Sequence, residues 1–232
     1  MTDIDSLRRL AIIGASLAIV VGIVTNVLTL PTWGFETFTF GDPETVLGAG
    51  AEAAILWRWA MLGDMFYSYL LLLPLALFAH RRLRDRKPWL ADLGLSGALA
   101  YIFLGAASAA ILANAGSALI EAYATASAAE QGAIATSYTM LRDAFYFGIW
   151  QTLDAITAGT WAFSIGWLLL AERPVLGRLL VVLAGGFWAA AVMTMLDVHS
   201  LAVLGAIFLV VLLVWLGWVV LDRRSPIAGR VM

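Results

Sequence analysis

The chain has no cysteine and only two histidines among its 232 residues. Without thiols, disulfides, iron–sulfur clusters and thiolate zinc sites are excluded. His80 and His199 fall at opposite ends of the apolar runs, roughly 30 Å apart, which rules out a bis-histidine haem between them within one chain. Neither HxxxH nor HExxH spacing occurs. A set of Asp197 and His199 with Asp64 or Asp154 is a loose grouping without such spacing, so no metal and no cofactor is expected. Charge is scarce as well: 13% of residues are Asp, Glu, Lys or Arg, while 62% are hydrophobic and ten are tryptophan. An ordinary soluble domain carries about 25% charged residues. The composition is that of an integral membrane protein, and with a net charge of −2 nothing points to nucleic acid.

A span needs roughly 20 mostly apolar residues to cross about 30 Å of hydrocarbon. Six stretches qualify: Leu10–Leu30, Ala54–Ala79, Trp89–Asn114, Ala144–Leu170, Val175–Leu196 and Leu201–Leu221. The first is too long for a signal-peptide core and lacks a small-x-small cleavage site, so it reads as a retained span. All but two of the 14 basic residues lie before the first span, between the second and third, between the fourth and fifth, or after the sixth. Positive residues near span ends stay on the cytoplasmic side. The expected fold is therefore an all-α, polytopic bundle of six transmembrane helices in one domain (1–232), with both termini cytoplasmic. The two remaining basic residues are Arg58 and Arg142.

Two longer segments face the outer side. One, PTWGFETFTFGDPETVLGAGAEA, has a Pro/Glu-led stretch suited to a short helix. The other, SALIEAYATASAAEQGAIATS, is rich in Ala and Ser and is expected to extend the third span or cap the outer mouth.

Near Arg58 and Arg142 a motif occurs twice: MLGDMFY at 61–67 and MLRDAFY at 140–146. Each copy opens a span that ends in a basic loop, with a proline just before the next span. The repeated unit is a parallel helical hairpin, 54–115 against 140–197. Asp64 precedes Pro88 by 24 residues but Asp143 precedes Pro174 by 31. Duplication and chance similarity in a biased composition both account for the repeat.

Helical rise puts Asp64 and Asp154 at one depth, each about 24 Å from the cytoplasmic boundary. Asp143 stands 11 residues before Asp154, close to three α-helical turns, so the two share a face with Tyr146 and Trp150. Asn26, Asp197 and His199 add polar groups on the outer side, whereas the inner halves read as almost wholly apolar. Because a charge at mid-bilayer costs at least ~2.5–3.5 kcal/mol, this convergence points to an outward polar pocket walled by aromatics. Asp64, Asp154 and Asp143 are the candidate catalytic carboxyls. Tyr67, Tyr146, Trp150, Arg58, Arg142, Asn26, Asp197 and His199 are the candidate binding residues. The competing structural readings are that Asp143 and Arg142 sit at headgroup level, and that Asp64 pairs with Arg58 or Arg142 as a packing lock. Trp215 and Trp218 are expected in an interfacial belt. Gly94, Gly105, Gly185 and Gly186 are expected to be close-packing positions.

RRLAIIG at the start, LWRWAMLGD leading into span two, YTMLRDAFYFGIW leading into span four and RPVLGRLLVVLAG leading into span five together resemble a six-span bacterial membrane family, known as domain of unknown function 4386. The resemblance implies a multi-pass protein of the bacterial inner membrane and carries no activity. Three functions follow from the residues themselves. A carboxyl screened by aromatic walls suits an acid-catalysed intramembrane enzyme acting on a lipidic or isoprenoid substrate, cyclase-like in plan. Intramembrane carboxyls also suit a proton-coupled carrier or binding protein for a small amphiphile. A polar layer that only fixes helix register suits a scaffold subunit. The partner expected in the first two is a membrane lipid or hydrophobic small molecule.

Overall fold

A computed structural model describes residues 3–40, 43–198 and 201–222, with side chains described for these except 29–40, 44 and 201–206. The described chain is helical, with no strand among the described residues. Its α-helices are α1 (Asp3–Phe40), α2 (Pro43–Leu47), α3 (Ala51–Asp64), α4 (Leu73–Leu83), α5 (Pro88–Ile111), α6 (Ser117–Thr125), α7 (Ala128–Arg142), α8 (Asp154–Leu169), α9 (Pro174–Met195) and α10 (Leu201–Leu221). Three π-helical segments, Met65–Tyr69, Leu112–Gly116 and Asp143–Leu153, and a 3-10 turn, Leu70–Leu72, join some of them end to end. Four of the resulting rods are long and apolar enough to cross a membrane: Asp3–Leu28, Ala51–Leu83, Pro88–Thr125 and Pro174–Met195.

The long helices pack in chain order around a ring: α1 on α4, α4 on α5, α5 on α8, α8 on α9, α9 on α10, and α10 back on α1. The sorting of side chains is the reverse of a soluble bundle. On α1 the inward positions are the small Ala11, Ala15 and Ala18, all buried, while Ile13, Val20, Val24 and Val27 are each more than half exposed. Small residues inward and bulky aliphatics outward are what a bundle solvated by acyl chains requires, since close backbone approach replaces the hydrophobic drive between helices. Gly166 and Gly177 show it directly. A methyl group on Gly177 would come within 2.7 Å of the Gly166 carbonyl oxygen, so α8 and α9 meet backbone to backbone there. Gly94 and Gly105 are likewise close contacts, and Gly186 meets Ile207, whereas among the described residues nothing lies within 4 Å of a methyl group placed on Gly185.

Both turns that reverse the chain between these pairs have one design. Pro88 and Pro174 each open their helix, where a missing N–H leaves nothing unsatisfied. The residues before them, Lys87 and Arg173, are extended, as proline demands of its predecessor. Arg86 N–H donates to Leu83 O at 3.2 Å, and Glu172 N–H donates to Leu169 O at 3.1 Å in the matching position.

The centre of the ring is filled by aromatic rings. Trp161 stacks on Trp215 with centroids 4.1 Å apart, Tyr101 lies 6.3 Å from Trp161 and 6.0 Å from Phe208, and Phe78 meets Trp218 at 5.6 Å. Trp215 and Trp218 are thus core residues, each 2% exposed, and do not form the interfacial belt that their place near a span end suggests. Their indoles reach inward from α10 to Trp161 of α8 and Phe78 of α4.

Around the Pro-led turns the bundle is closed by arginines. Arg82, buried on α4, grips Asp222 with Nε on Oδ2 at 2.9 Å and Nη2 on Oδ1 at 3.3 Å, and Nη2 also donates to Glu172 Oε2 at 3.2 Å. Arg86 pairs with Glu172 and donates to Leu168 O at 2.6 Å. Arg8 of α1 donates to the carbonyls of Val219 and Val220 at 2.8 and 2.6 Å, and Arg173 to that of Leu221 at 3.3 Å. These are last-turn carbonyls of α10, which have no partner within the helix and sit at its negative end, where cations are favoured. Basic residues expected only to mark a membrane side therefore also join α1, α4, the α8–α9 turn and α10.

At the other end, the Pro/Glu-led stretch forms α2 and the Ala/Ser-rich segment extends the third rod as α6 before α7 begins. Glu130 accepts from the backbone N–H and the hydroxyl of Ser127 at 2.8 and 2.6 Å. The two bonds from Ser127 hold the Glu130 carboxyl below its ordinary pKa.

Candidate functional site

The repeated motif marks a change of winding. In the first copy, α3 ends at Asp64 and the π segment follows at once; in the second, the π segment starts at Asp143 itself and runs to Leu153, so that Asp154 opens α8. Pro74 accounts for the end of the first distortion. It has no N–H to give to Leu70 O four residues back, and that carbonyl is taken instead by Leu73 N–H in a 3-10 turn. Upstream, Leu70 N–H reaches back to Met65 O, the i→i−5 bond of a π turn. Tyr69, caught between the two, leaves helical geometry at φ −130°, ψ −75°.

That displacement carries the Tyr69 ring onto Gly105 of α5, where a Cβ would lie 1.8 Å from ring carbon Cε1. Only glycine leaves the space. From there the Tyr69 hydroxyl donates to Asp154 Oδ2 at 2.7 Å. Asp154 is 4% exposed and Gln151, three residues before it, 0%; Thr194 of α9, at 8%, donates through Oγ1 to Ala190 O at 3.1 Å, and its Oγ1 lies 3.5 Å from the Gln151 amide.

Asp64 anchors a second set. Ser68 Oγ donates to its Oδ1 at 2.8 Å, and the Tyr67 phenol donates to it as well. Asn26 of α1 also bonds to Tyr67 and donates through Nδ2 to Gly22 O at 2.8 Å. The Tyr67 ring lies against Gly22. Among the described residues, neither Asp64 nor Asp154 forms an ion pair with a lysine or arginine.

The other candidates divide. Trp150 borders the centre, its Nε1 donating to Gly105 O at 3.4 Å, and Tyr146, buried, packs on Trp150 with centroids 5.0 Å apart. Asp143 is drawn away. Its side chain is 53% exposed and held by Arg142 at 3.0 Å, whose guanidinium lies 5.4 Å over the Phe147 ring. The expected shared face with Asp154 fails because counting 11 residues as three turns assumes α winding, and the π segment between them puts more residues in each turn. Arg58 is exposed and, among the described residues, makes no ion pair, so the lock with Asp64 is not formed through it. Asp197 is exposed at φ 63° and ends α9: its N–H donates to Thr194 O at 3.0 Å and Val198 N–H to Met193 O at 2.8 Å, a Schellman cap. His199 lies outside the described residues.

Tyr69, Ser68 and Gln151 complete the centre and were not singled out by the sequence. Gln151 was legible as an amide within an apolar run, and Ser68 as the i+4 neighbour of Asp64. Tyr69 carried no signal, because its position depends on the break in winding. Among the described residues no group of three His, Cys, Asp or Glu is placed to hold a metal ion. Two cavities can be described, and neither touches Asp64 or Asp154. One is a slit of about 10 Å³ walled by Ala79, Leu95, Trp161 and Ser164; the other is an open groove of about 660 Å³ beside Ile4, His80, Arg81 and Arg84. The first is large enough for a single water.

No protein-family model, no curated protein and no solved structure matches this chain. What the arrangement does is therefore argued from its own chemistry.

Proposed function

We propose that the chain is a six-span bacterial inner-membrane protein of the family it resembles, and that it works as a proton-coupled carrier for a small amphiphile, with Asp64 and Asp154 as its ionisable pair. Six spans are supported by the continuous helical path 143–169 and by α10, which add a fourth and a sixth rod to the four long apolar ones. Cytoplasmic ends are supported by the basic residues gathered around the Pro-led turns.

One observation carries the functional reading. Two carboxyls, Asp154 buried and Asp64 half-buried, have no cationic partner among the described residues, and each sits where a helix departs from α winding. Ionisable groups inside spans mark ion and proton paths, and broken helices near mid-membrane are where carriers bind their cargo. The hydroxyls of Tyr67, Ser68 and Tyr69 give each carboxyl a partner that can pass or share a proton. Reconstituted into liposomes under an imposed pH gradient, the wild type should show amphiphile-stimulated proton uptake, and Asp154→Asn should abolish it while still folding. Undiminished uptake in both Asp154→Asn and Asp64→Asn would refute the reading.

A cyclase-like enzyme is the second reading, favoured by the rings that lead away from Asp154: Tyr69, then Tyr101 at 5.0 Å, then Trp161. Mass spectrometry of the lipids that co-purify separates the two. An enzyme leaves a converted product that Asp154→Asn lacks, whereas a carrier leaves the same molecules in both. A scaffold would show neither difference.

A further inference from the structure

The open groove of about 660 Å³ lies at the end of the ring that carries the Pro-led turns, away from Asp64 and Asp154. Its volume is within the ordinary range of small-molecule sites, about 300–1,000 Å³. The first turn of α1 supplies Asp3 and Ile4, the last turns of α4 supply Leu77 and Arg81, and the chain leading to Pro88 adds Arg84 and Asp85. Ile4 and Leu77 are half-buried and apolar, whereas the four charged side chains belong to exposed residues. Along α4 the lining passes from Leu77 to Arg81 within one turn, about 6 Å. A bilayer is graded in the same way, with a headgroup layer of about 5–7 Å over the hydrocarbon.

The charges of the groove balance, two guanidiniums against two carboxylates, and much of their bonding capacity is unused. Arg81 pairs with Asp3 through Nη1, and Arg84 approaches Asp92 of α5 through Nε at 3.7 Å. Each guanidinium has five N–H donors, so both keep donors for an anion. Among the described residues the Asp85 carboxylate makes no hydrogen bond or ion pair, so its oxygens are open to a cation. His80, which also lines the groove, is turned to Asp92 at 2.8 Å. Clusters of Lys and Arg alone suit anionic lipids, but here such a headgroup would meet two carboxylates, and a simple cation would meet two guanidiniums. One phosphate and one ammonium on the same molecule match all four. A primary ammonium can also donate charge-assisted hydrogen bonds to the carboxylates, which a quaternary one cannot.

We propose that the groove between α1 and α4 binds the headgroup of an aminophospholipid, its phosphate on Arg81 and Arg84 and its ammonium on Asp3 and Asp85. The acyl chains run on along the apolar outer surface of the ring. The site rests on the chain being embedded in a membrane and not on the carrier reading.

Native mass spectrometry of the full chain, released from micelles with phosphatidylethanolamine, phosphatidylcholine or phosphatidylglycerol of matched acyl chains, tests it. The wild type should bind phosphatidylethanolamine about tenfold more tightly than phosphatidylcholine, the worth of one charge-assisted hydrogen bond. Asp3→Asn with Asp85→Asn should erase that gap. Asp85→Asn alone, which breaks no side-chain bond among the described residues, should narrow it. Arg81→Gln with Arg84→Gln should weaken both lipids together, since they share the phosphate. The substituted residues are exposed, and an unchanged thermal midpoint checks that each variant keeps the fold. Equal binding of the two lipids by wild type, a gap untouched by the Asp substitutions, or binding undiminished by the Arg substitutions overturns the site. Phosphatidylglycerol bound most tightly overturns it in favour of a plain basic patch. Proton uptake plays no part in these measurements, so the site and the carrier function fail independently.

Discussion

Replacing Arg82 with methionine tests how the closed end of the ring is held. The Arg82 side chain is 6% exposed and that of Asp222 is 9%, and two bonds of 2.9 and 3.3 Å join them as a fork. Removing one member of such an enclosed pair leaves the other charge without water or partner, which costs about 3–5 kcal/mol. The bond to Glu172 adds little, since that carboxylate is 46% exposed and pairs of its kind are worth about 0–1 kcal/mol. For a chain of this size 1 kcal/mol moves the thermal midpoint by about 2–4 °C. Arg82→Met should therefore lower the midpoint by on the order of 10 °C, and Glu172→Gln, which ends half-exposed pairs with both Arg82 and Arg86, by no more than about 8 °C. Adding Asp222→Leu to Arg82→Met should recover most of the loss, because an apolar pair of similar volume is close to neutral in place of an enclosed ion pair. Tryptophan fluorescence is a fitting assay, since Trp218 packs on Phe78 one helical turn from both charges. If the single variant loses no more than Glu172→Gln, or the double variant is no more stable than the single, the pair is not the fastening argued here.

Further outcomes follow from other positions. Gly105→Ala should push Tyr69 off α5 and break its bond to Asp154, lowering stability by about 1–3 kcal/mol and reducing proton uptake in liposomes; unchanged uptake and midpoint would show that the ring has room to move. The Glu130 carboxyl is held low, so its contribution to α7 is complete above its ordinary value of 4.5 and fades as pH falls through the lower folded value. The protection factor at the first turn of α7, hydrogen exchange divided into its intrinsic rate at each pH, should fall on acidification, with Glu130→Gln flattening that dependence; an equal fall in the variant would remove Glu130 as the cause.

What the sequence made legible was whatever depends on local pattern. Apolar runs placed the long rods, Pro88 and Pro174 placed the starts of two helices, and the Pro/Glu and Ala/Ser stretches placed α2 and α6. The Asp of MLGDMFY and that of MLRDAFY stand at the start of two of the three π-helical segments. The motif does not disclose the change of winding itself. A rise of 1.5 Å and 3.6 residues per turn carry a residue's depth and face along a helix only while α bonding continues, so Asp143 was assigned to the face of Asp154 and Tyr69 was overlooked. Trp215 and Trp218 escape the sequence for a different reason: an indole near a span end suits the headgroup layer and an aromatic core equally, and only the contacts with Trp161 and Phe78 decide between them. Arg82 shows the same limit for charge, since a loop that reads as a topology signal also supplied the fastening of α10.

The contact of Arg8 with the far end of α10 has a consequence for synthesis. While the ribosome is still making the middle of the chain, Arg8 and Arg82 lack the acceptors that α10 will bring, and the growing hoop stays open on one side. Arrival of that helix is what commits the assembly, so chains stalled before it should be the ones cleared by membrane proteases.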